Sequence, residues 1–197
     1  MNADAIREAY GAVRAAVGSG VTVVAATKYV SAEDMGILAA AGIETVGENR
    51  VQDMVHKHEL HGGRFRWHFI GALQSNKARV VNEICELVHA VDTDSAARRL
   101  TIPSLLEVNL AGEASKSGVG ESEIEGYVER YPLIEGLMTM PPFADDPEAS
   151  RPLFRRLARL AREHGLAELS MGTSQDWQVA VEEGATLIRV GSTLFQP

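Results

Sequence analysis

A chain of 197 residues with 45% hydrophobic and 23% charged side chains has the composition of an ordinary globular domain and enough apolar material for one sizeable core. Its formal charge of −8 excludes a broad nucleic-acid footprint, which needs a basic face. The single cysteine, Cys85, excludes an internal disulfide, and no run approaches the roughly 20 apolar residues of a membrane span, so the expectation is one domain over 1–197, cytoplasmic, with neither nucleic acid nor membrane as partner.

The first 18 residues are amphipathic but lack the apolar centre of a signal peptide. VTVVAAT (21–27) then reads as a strand. Ser31 starts a helix whose stripe is Met35, Leu38 and Ala39, and Gly42 is placed to close it in the left-handed conformation. ETVGE (44–48) leads into a stripe of Val51, Met54 and Val55. WHFIG (67–71) leads through the polar loop Gln74, Ser75, Asn76, Lys77 to a helix marked by Val80, Val81, Ile84 and Leu87, with Cys85 on its apolar face as a buried, inert thiol. LVHAVD (87–92) and SLLEVNL (104–110) follow, and the segment from Arg98 to Ser104 leaves little room for a full crossover helix. Ile124, Tyr127, Val128 and Tyr131 mark a helix stopped by Pro132, and IEGLMTM (134–140) is the sixth strand. After a breaker-rich loop, Asp146 and Pro147 form an N-cap and N1 pair for a helix carrying Leu153, Phe154, Leu157 and Leu160 and ended by Gly165. AELSMG (167–172), a helix from Asp176 to Gly184 and TLIRVG (186–191) complete the pattern.

Several of these strands are apolar at consecutive positions, which suits strands covered on both faces. Eight β–α alternations predict a (β/α)8 barrel of the TIM type, with its site at the C-terminal ends of the strands. An open doubly wound sheet is the alternative.

The residues after each strand carry the chemistry. Lys28 ends an apolar run, where a solvated ammonium has no reason to sit. Either it closes the strand at the surface, or, partly desolvated at a barrel rim, its amine forms a Schiff base. Ser170, Gly172, Thr173 and Ser174 after the seventh strand, and Gly191 and Ser192 after the eighth, offer hydroxyls and open backbone. Such barrels bind phosphate there, and glycine lets an anion approach the chain; two ordinary Gly/Ser turns are the plainer alternative. A rim lysine opposite a phosphate cradle is what pyridoxal 5′-phosphate (PLP) requires at its two ends.

Arg189 lies inside an apolar strand and needs a partner there. That partner is either the pyridine nitrogen of PLP or a carboxylate inside the barrel. At the nitrogen an arginine does not give up its proton, so the ring stays unprotonated and is a weaker electron sink. Asn49 either hydrogen-bonds the ring hydroxyl or caps the helix that follows it. His68 either faces the lumen or is a satisfied core histidine. His56, His58 and His61 read as a solvated face rather than a metal site. Ser117 beside Lys116, near Glu107 and Asn109, lacks a third orienting group for nucleophilic catalysis.

The stretches ATK (26–28), GENRVQ (47–52), WHFIGALQSNK (67–77), VNLAGEASKSGV (108–119), GLMTM (136–140), LSMGTSQD (169–176) and RVGSTLF (189–195) span nearly the whole chain. On them the chain resembles the YggS/PROSC family of pyridoxal phosphate homeostasis proteins, which have the barrel of the alanine racemase N-terminal domain. The resemblance implies that Lys28 carries PLP as an imine. It implies phosphate contacts from Ser170, Gly191 and Ser192 with Thr173 or Ser174 nearby, Asn49 beside the ring, and Arg189 toward the pyridine nitrogen. It implies a carrier or buffer of PLP that influences amino-acid and keto-acid balance, not an enzyme, with PLP-dependent apo-enzymes as recipients. Thr173 stands where methionine is expected, Ser192 where threonine is usual, and Gln196 and Pro197 replace a usual Gly-x-Arg ending. The alternative is a PLP-dependent amino-acid racemase with Lys28 as its single base; a second base from a further domain is not expected after residue 191, and Arg189 at the ring nitrogen disfavours carbanion storage. No long exposed apolar stripe is evident, so a monomer is expected.

Overall fold

The computed structural model describes residues 1–112 and 117–195. Its strands are β1 (Thr22–Ala26), β2 (Thr45–Glu48), β3 (Arg66–Phe69), β4 (Leu87–Val91), β5 (Ser104–Glu107), β6 (Ile134–Met138), β7 (Glu168–Thr173) and β8 (Leu187–Val190). They pair in chain order, all parallel, and β1 pairs with β8, so the sheet closes into a barrel and the open-sheet alternative falls. The helices among the described residues are α1 (Ala3–Val17), α2 (Met35–Ala40), α3 (Val51–His61), α4 (Ala78–Ile84), α5 (Asp94–Ala97), α6 (Ile124–Arg130), α7 (Arg151–Glu163), α8 (Trp177–Glu182) and α9 (Ser192–Phe195).

Consecutive apolar residues in the strands serve two different cores. Val23, Ala25, Val46, Trp67, Phe69 and Val88 pack outward against the helices. Val24, Leu87, Ala90, Leu105, Met138 and Leu187 form a separate cluster inside the barrel. Strand residues point alternately to the two faces, so a parallel strand covered on both sides needs apolar residues at every position.

Local chemistry sets the element ends. The Asn2 side chain accepts from the Asp4 and Ala5 amides and opens α1. The Ser31 hydroxyl accepts from the Asp34 amide at 3.1 Å, but this closes a turn, and helix α2 begins only at Met35. Asp146 accepts from the Glu148 amide, and Pro147 opens a 3-10 turn that runs into α7. The crossover from β4 to β5 is cut down to the four residues of α5, as the short span to Ser104 predicts. The fifth strand is shorter than its apolar run. It stops at Glu107 because Val108 bridges Val119 and the loop folds back. A Cβ at Gly118, whose φ is +104°, would lie 2.8 Å from the Asn109 amide nitrogen, so the fold-back requires glycine.

Candidate functional site

A cavity of about 860 Å³ opens among the loops that follow the strands. Of the residues expected to bind a cofactor, all but Ser170 line it. Each owes its place to a specific local structure.

Lys28 follows the end of β1. The residue before it is held from two directions: the Thr27 amide donates to the Gly47 carbonyl at 3.0 Å, and the Thr27 carbonyl accepts from Lys57 Nζ at 2.8 Å. Lys57, on the inner face of α3, is also 2.5 Å from Glu48 Oε1, and Thr27 Oγ1 donates to that same carboxylate oxygen at 2.5 Å. A buried ion pair thus braces the stem of Lys28. Lys28 itself is exposed at the cavity edge, its ammonium 4.7 Å from the centroid of the Tyr29 ring. The expected partial desolvation is therefore corrected: the chain turns at residues 28 and 29, directly after the strand, and stands the side chain on the rim.

Asn49 also lines the cavity. It does not cap α3, whose N-cap is Arg50 with no side-chain capping bond, and this removes the capping alternative. A Cβ at Gly71, in the loop after β3, would lie 2.9 Å from the Asn49 Cα; glycine there lets the two loops pack backbone to backbone.

The loops after β7 and β8 are tied together by one hydroxyl. Ser174 Oγ accepts from the Gly191 amide at 2.9 Å and from the Thr193 amide at 3.2 Å. With both amides directed at its oxygen, Ser174 keeps its O–H as a donor. The buried Asp176 shapes the loop: its Oδ1 accepts from the Thr173 amide at 2.8 Å and its Oδ2 from Ser150 Oγ at 2.7 Å. Gly172 has φ +90°, and a Cβ there would lie 2.6 Å from the Ala180 Cβ, so α8 can approach only a glycine. Ser192 opens α9 beside Gly191.

Arg189 reaches the cavity from below. It is buried, with Nη1 donating to Ser170 Oγ at 2.5 Å and Nη2 to the Thr139 carbonyl at 3.1 Å. Burial pushes its guanidinium down to about 10, while Glu107 and Asp176 draw it back up; it remains a cation at neutral pH. Its hydrogen-bond partners are thus a serine and a carbonyl rather than a carboxylate inside the barrel.

Ser170 lies below the cavity. Its side chain is fully buried, and its hydroxyl is committed to Arg189 and to His89 Nδ1, the latter at 2.7 Å. β7 continues to Thr173, so Ser170 points into the lumen below the loop and does not line the cavity. His68 faces the lumen and is buried there, with its Nδ1 2.9 Å from His89 Nε2. Burial raises the Glu107 carboxyl despite a 2.8 Å hydrogen bond from Ser117; Lys116, like Gln196 and Pro197, lies outside the described residues. Cys85 is buried, and burial pushes its thiol up to about 12. His58 packs edge-on against Trp67 and His61 against Phe65.

His89, Thr139 and the Lys57–Glu48 pair were not read from the sequence as parts of the site. His89 shares strand parity with Leu87 in LVHAV, and Lys57 follows Val51 and Met54 at spacings of three. Both are polar residues on an apolar stripe, and that was the available signal.

The family model described as alanine racemase, N-terminal domain, matches residues 1–197. The pyridoxal phosphate homeostasis protein of Aquifex aeolicus is 38% identical over 191 residues, covering 86% of this chain and 84% of that protein. Its counterpart in Deinococcus radiodurans is 36% identical over 203 residues, covering 96% and 95%. Among solved structures, PipY of Synechococcus elongatus with PLP bound superposes with a TM-score of 0.86 at 32% identity, over 96% of this chain and 99% of that one. Alanine racemase from Corynebacterium glutamicum superposes with a TM-score of 0.77 at 18% identity, over 99% of this chain and 61% of that one, a likeness of fold alone.

Proposed function

The chain belongs to the alanine racemase N-terminal domain family and, within it, to the pyridoxal phosphate homeostasis proteins, and from that membership we propose that it binds PLP and serves as an intracellular carrier and buffer of the cofactor. One observation carries the reading. A single cavity brings the amine of Lys28 together with the loops joined at Ser174 and Gly191, on the ends of the neighbouring strands β1 and β8.

The residues fit the group. Lys28 is its covalent anchor, through a Schiff base. The Ser174 hydroxyl, which keeps its proton as a donor, and the chain at Gly191 and Ser192 take the phosphate, and Thr173 borders it. Asn49 lies beside the ring hydroxyl. PLP supplies an electrophilic aldehyde and a ring that accepts electrons. Arg189 points a cation that keeps its proton at the ring nitrogen, which weakens that electron acceptance and suits holding the cofactor over turning over a substrate. Ser170, whose hydroxyl is bonded to Arg189 and His89, is left out of the proposed cradle. The reading is of one barrel over 1–197, monomeric and cytoplasmic, with PLP-dependent apo-enzymes as recipients.

Adding PLP to the purified protein should produce the yellow absorbance of an amine-bound cofactor, and Lys28→Ala should abolish it. A protein that stays colourless in excess PLP refutes the reading. Incubation of the loaded protein with single L-amino acids should yield no D-isomer; sustained formation of one would establish the racemase alternative instead.

A further inference from the structure

Below the cavity, four buried side chains from four strands are joined end to end. Arg189 on β8 meets Ser170 on β7 at 2.5 Å, Ser170 meets His89 on β4 at 2.7 Å, and His89 meets His68 on β3 at 2.9 Å. Donor counting gives the direction. A guanidinium only donates, so the Ser170 oxygen accepts from Arg189; the buried Ser170 proton has His89 Nδ1 as its one acceptor among the described hydrogen bonds, and it goes there. That nitrogen is then an acceptor, so the His89 proton lies on Nε2 and is donated to His68 Nδ1. His68 in turn carries its proton on its own Nε2.

We propose that Ser170, His89 and His68 are positioning residues, a one-way hydrogen-bond chain that holds the Arg189 guanidinium in a single orientation at the cavity floor. The link to cofactor binding rests on the function proposed above; the chain itself does not.

Several observations agree with this direction. Both imidazoles must be neutral for the chain to run, since a cation has no acceptor nitrogen. Burial, with Arg66 adding to it and Glu86 opposing, lowers His68 to about 4. Burial, His68 and Arg189 together hold His89 well below its usual value. Glu107 and Asp176 are the carboxylates that act on Arg189. On its other nitrogen Arg189 is held by the Thr139 carbonyl, and Thr139 is itself fixed by donating to the Val108 carbonyl at 2.9 Å. The guanidinium is thus pinned from two sides, by the chain and by a backbone oxygen.

The mouth residues do not need this arrangement for packing. A hydrophobic trio at Ser170, His89 and His68 would fill the lumen as Val24, Leu105 and Leu187 do, without desolvating any polar group. What the polar chain adds is orientation of a cation at the cavity.

The experiment uses the full-length protein and begins without PLP. Nitrogen-15 correlation spectra of the histidine rings at pH 7 should show both His68 and His89 neutral with the proton on Nε2. An Nδ1–H tautomer or an imidazolium at either residue overturns the chain. In the same samples the Arg189 Nη protons should be resolved and slow to exchange, and Ser170→Ala and His89→Ala should average them. In His89→Asn the Oδ1 takes the place of Nδ1 as acceptor for Ser170 and should restore resolved signals. Unchanged Arg189 signals in Ser170→Ala, or an asparagine variant no better than alanine, refutes the positioning role. In PLP titrations read by absorbance, Ser170→Ala and His89→Ala should bind about tenfold more weakly, with His89→Asn between them and the parent. Equal affinities in all four proteins would overturn the link to the cofactor, whereas a parent protein that binds no PLP fails the proposed function and leaves the spectroscopic test of the chain standing.

Discussion

Replacing Lys57 with methionine keeps the length of the side chain and removes its charge. In the folded protein Lys57 Nζ is 2.5 Å from Glu48 Oε1 and 2.8 Å from the Thr27 carbonyl, and the two charged side chains are 6% and 0% exposed. The substitution leaves the Glu48 carboxylate with the Thr27 hydroxyl as its donor, and Glu48 Oε2 already has no partner. Removing one member of a buried ion pair costs about 3–5 kcal/mol because the other charge is stranded. That is a large part of the roughly 5–15 kcal/mol that a domain has in total. Urea unfolding followed by circular dichroism measures the loss. Removing both charges, in Lys57→Met with Glu48→Gln, should recover about 2 kcal/mol or more, since a neutral amide is far cheaper to bury than a lone carboxylate. A single variant within about 1 kcal/mol of the parent, or a double variant no more stable than the single, refutes the reasoning. The same single variant should also loosen Lys28, because the ammonium holds the carbonyl of the residue before it.

Stability should fall on mild acidification. His68 is held at about 4 against an ordinary value of 6.5, so between those values the unfolded chain binds the proton that the folded one refuses. The contribution is complete above pH 6.5 and is lost as pH falls toward 4, to the extent of about 3 kcal/mol at about 1.4 kcal/mol per unit. Urea unfolding from pH 7 to 4 should show this slope, flattened in His68→Asn. Gly172→Ala meets both the φ of +90° and the Ala180 Cβ at 2.6 Å; thermal melts should show a loss of about 2 kcal/mol or more. Ser174→Ala removes the hydroxyl at the join of the last two loops, and PLP titration should show binding weakened about tenfold, the usual size for a hydrogen bond to a charged group.

The barrel was legible because its strands are apolar on consecutive residues, and that pattern survives small errors of boundary. The errors fell where a loop continues the apolar run, as in 104–110, whose last residues turn back to meet Val119. The rim was legible at Lys28, Asn49, Ser174, Gly191 and Ser192, because in this architecture the residues after a strand face the mouth, whereas Thr173 and Arg189 line the cavity from within β7 and β8. Ser170 lies within the predicted strand 167–172, and pairing carries β7 through to Thr173 and turns Ser170 inward, below the rim. His89 was out of reach for a different reason. Its partner Ser170 is 81 residues away in the chain, and no local periodicity reports a contact made across a closed lumen. The bracing of Thr27 by Lys57 spans 30 residues and was hidden in the same way.

Leu87 and Leu187, the first residues of β4 and β8, join Val24 and Leu105 in stopping the lower half of the barrel with hydrocarbon. Among the described residues the cavity therefore opens at one end. Arrival and departure use the same route, and whatever stands over the opening halts traffic both ways. For the carrier role proposed above, a recipient has to meet that same end, since hydrocarbon fills the other among the described residues.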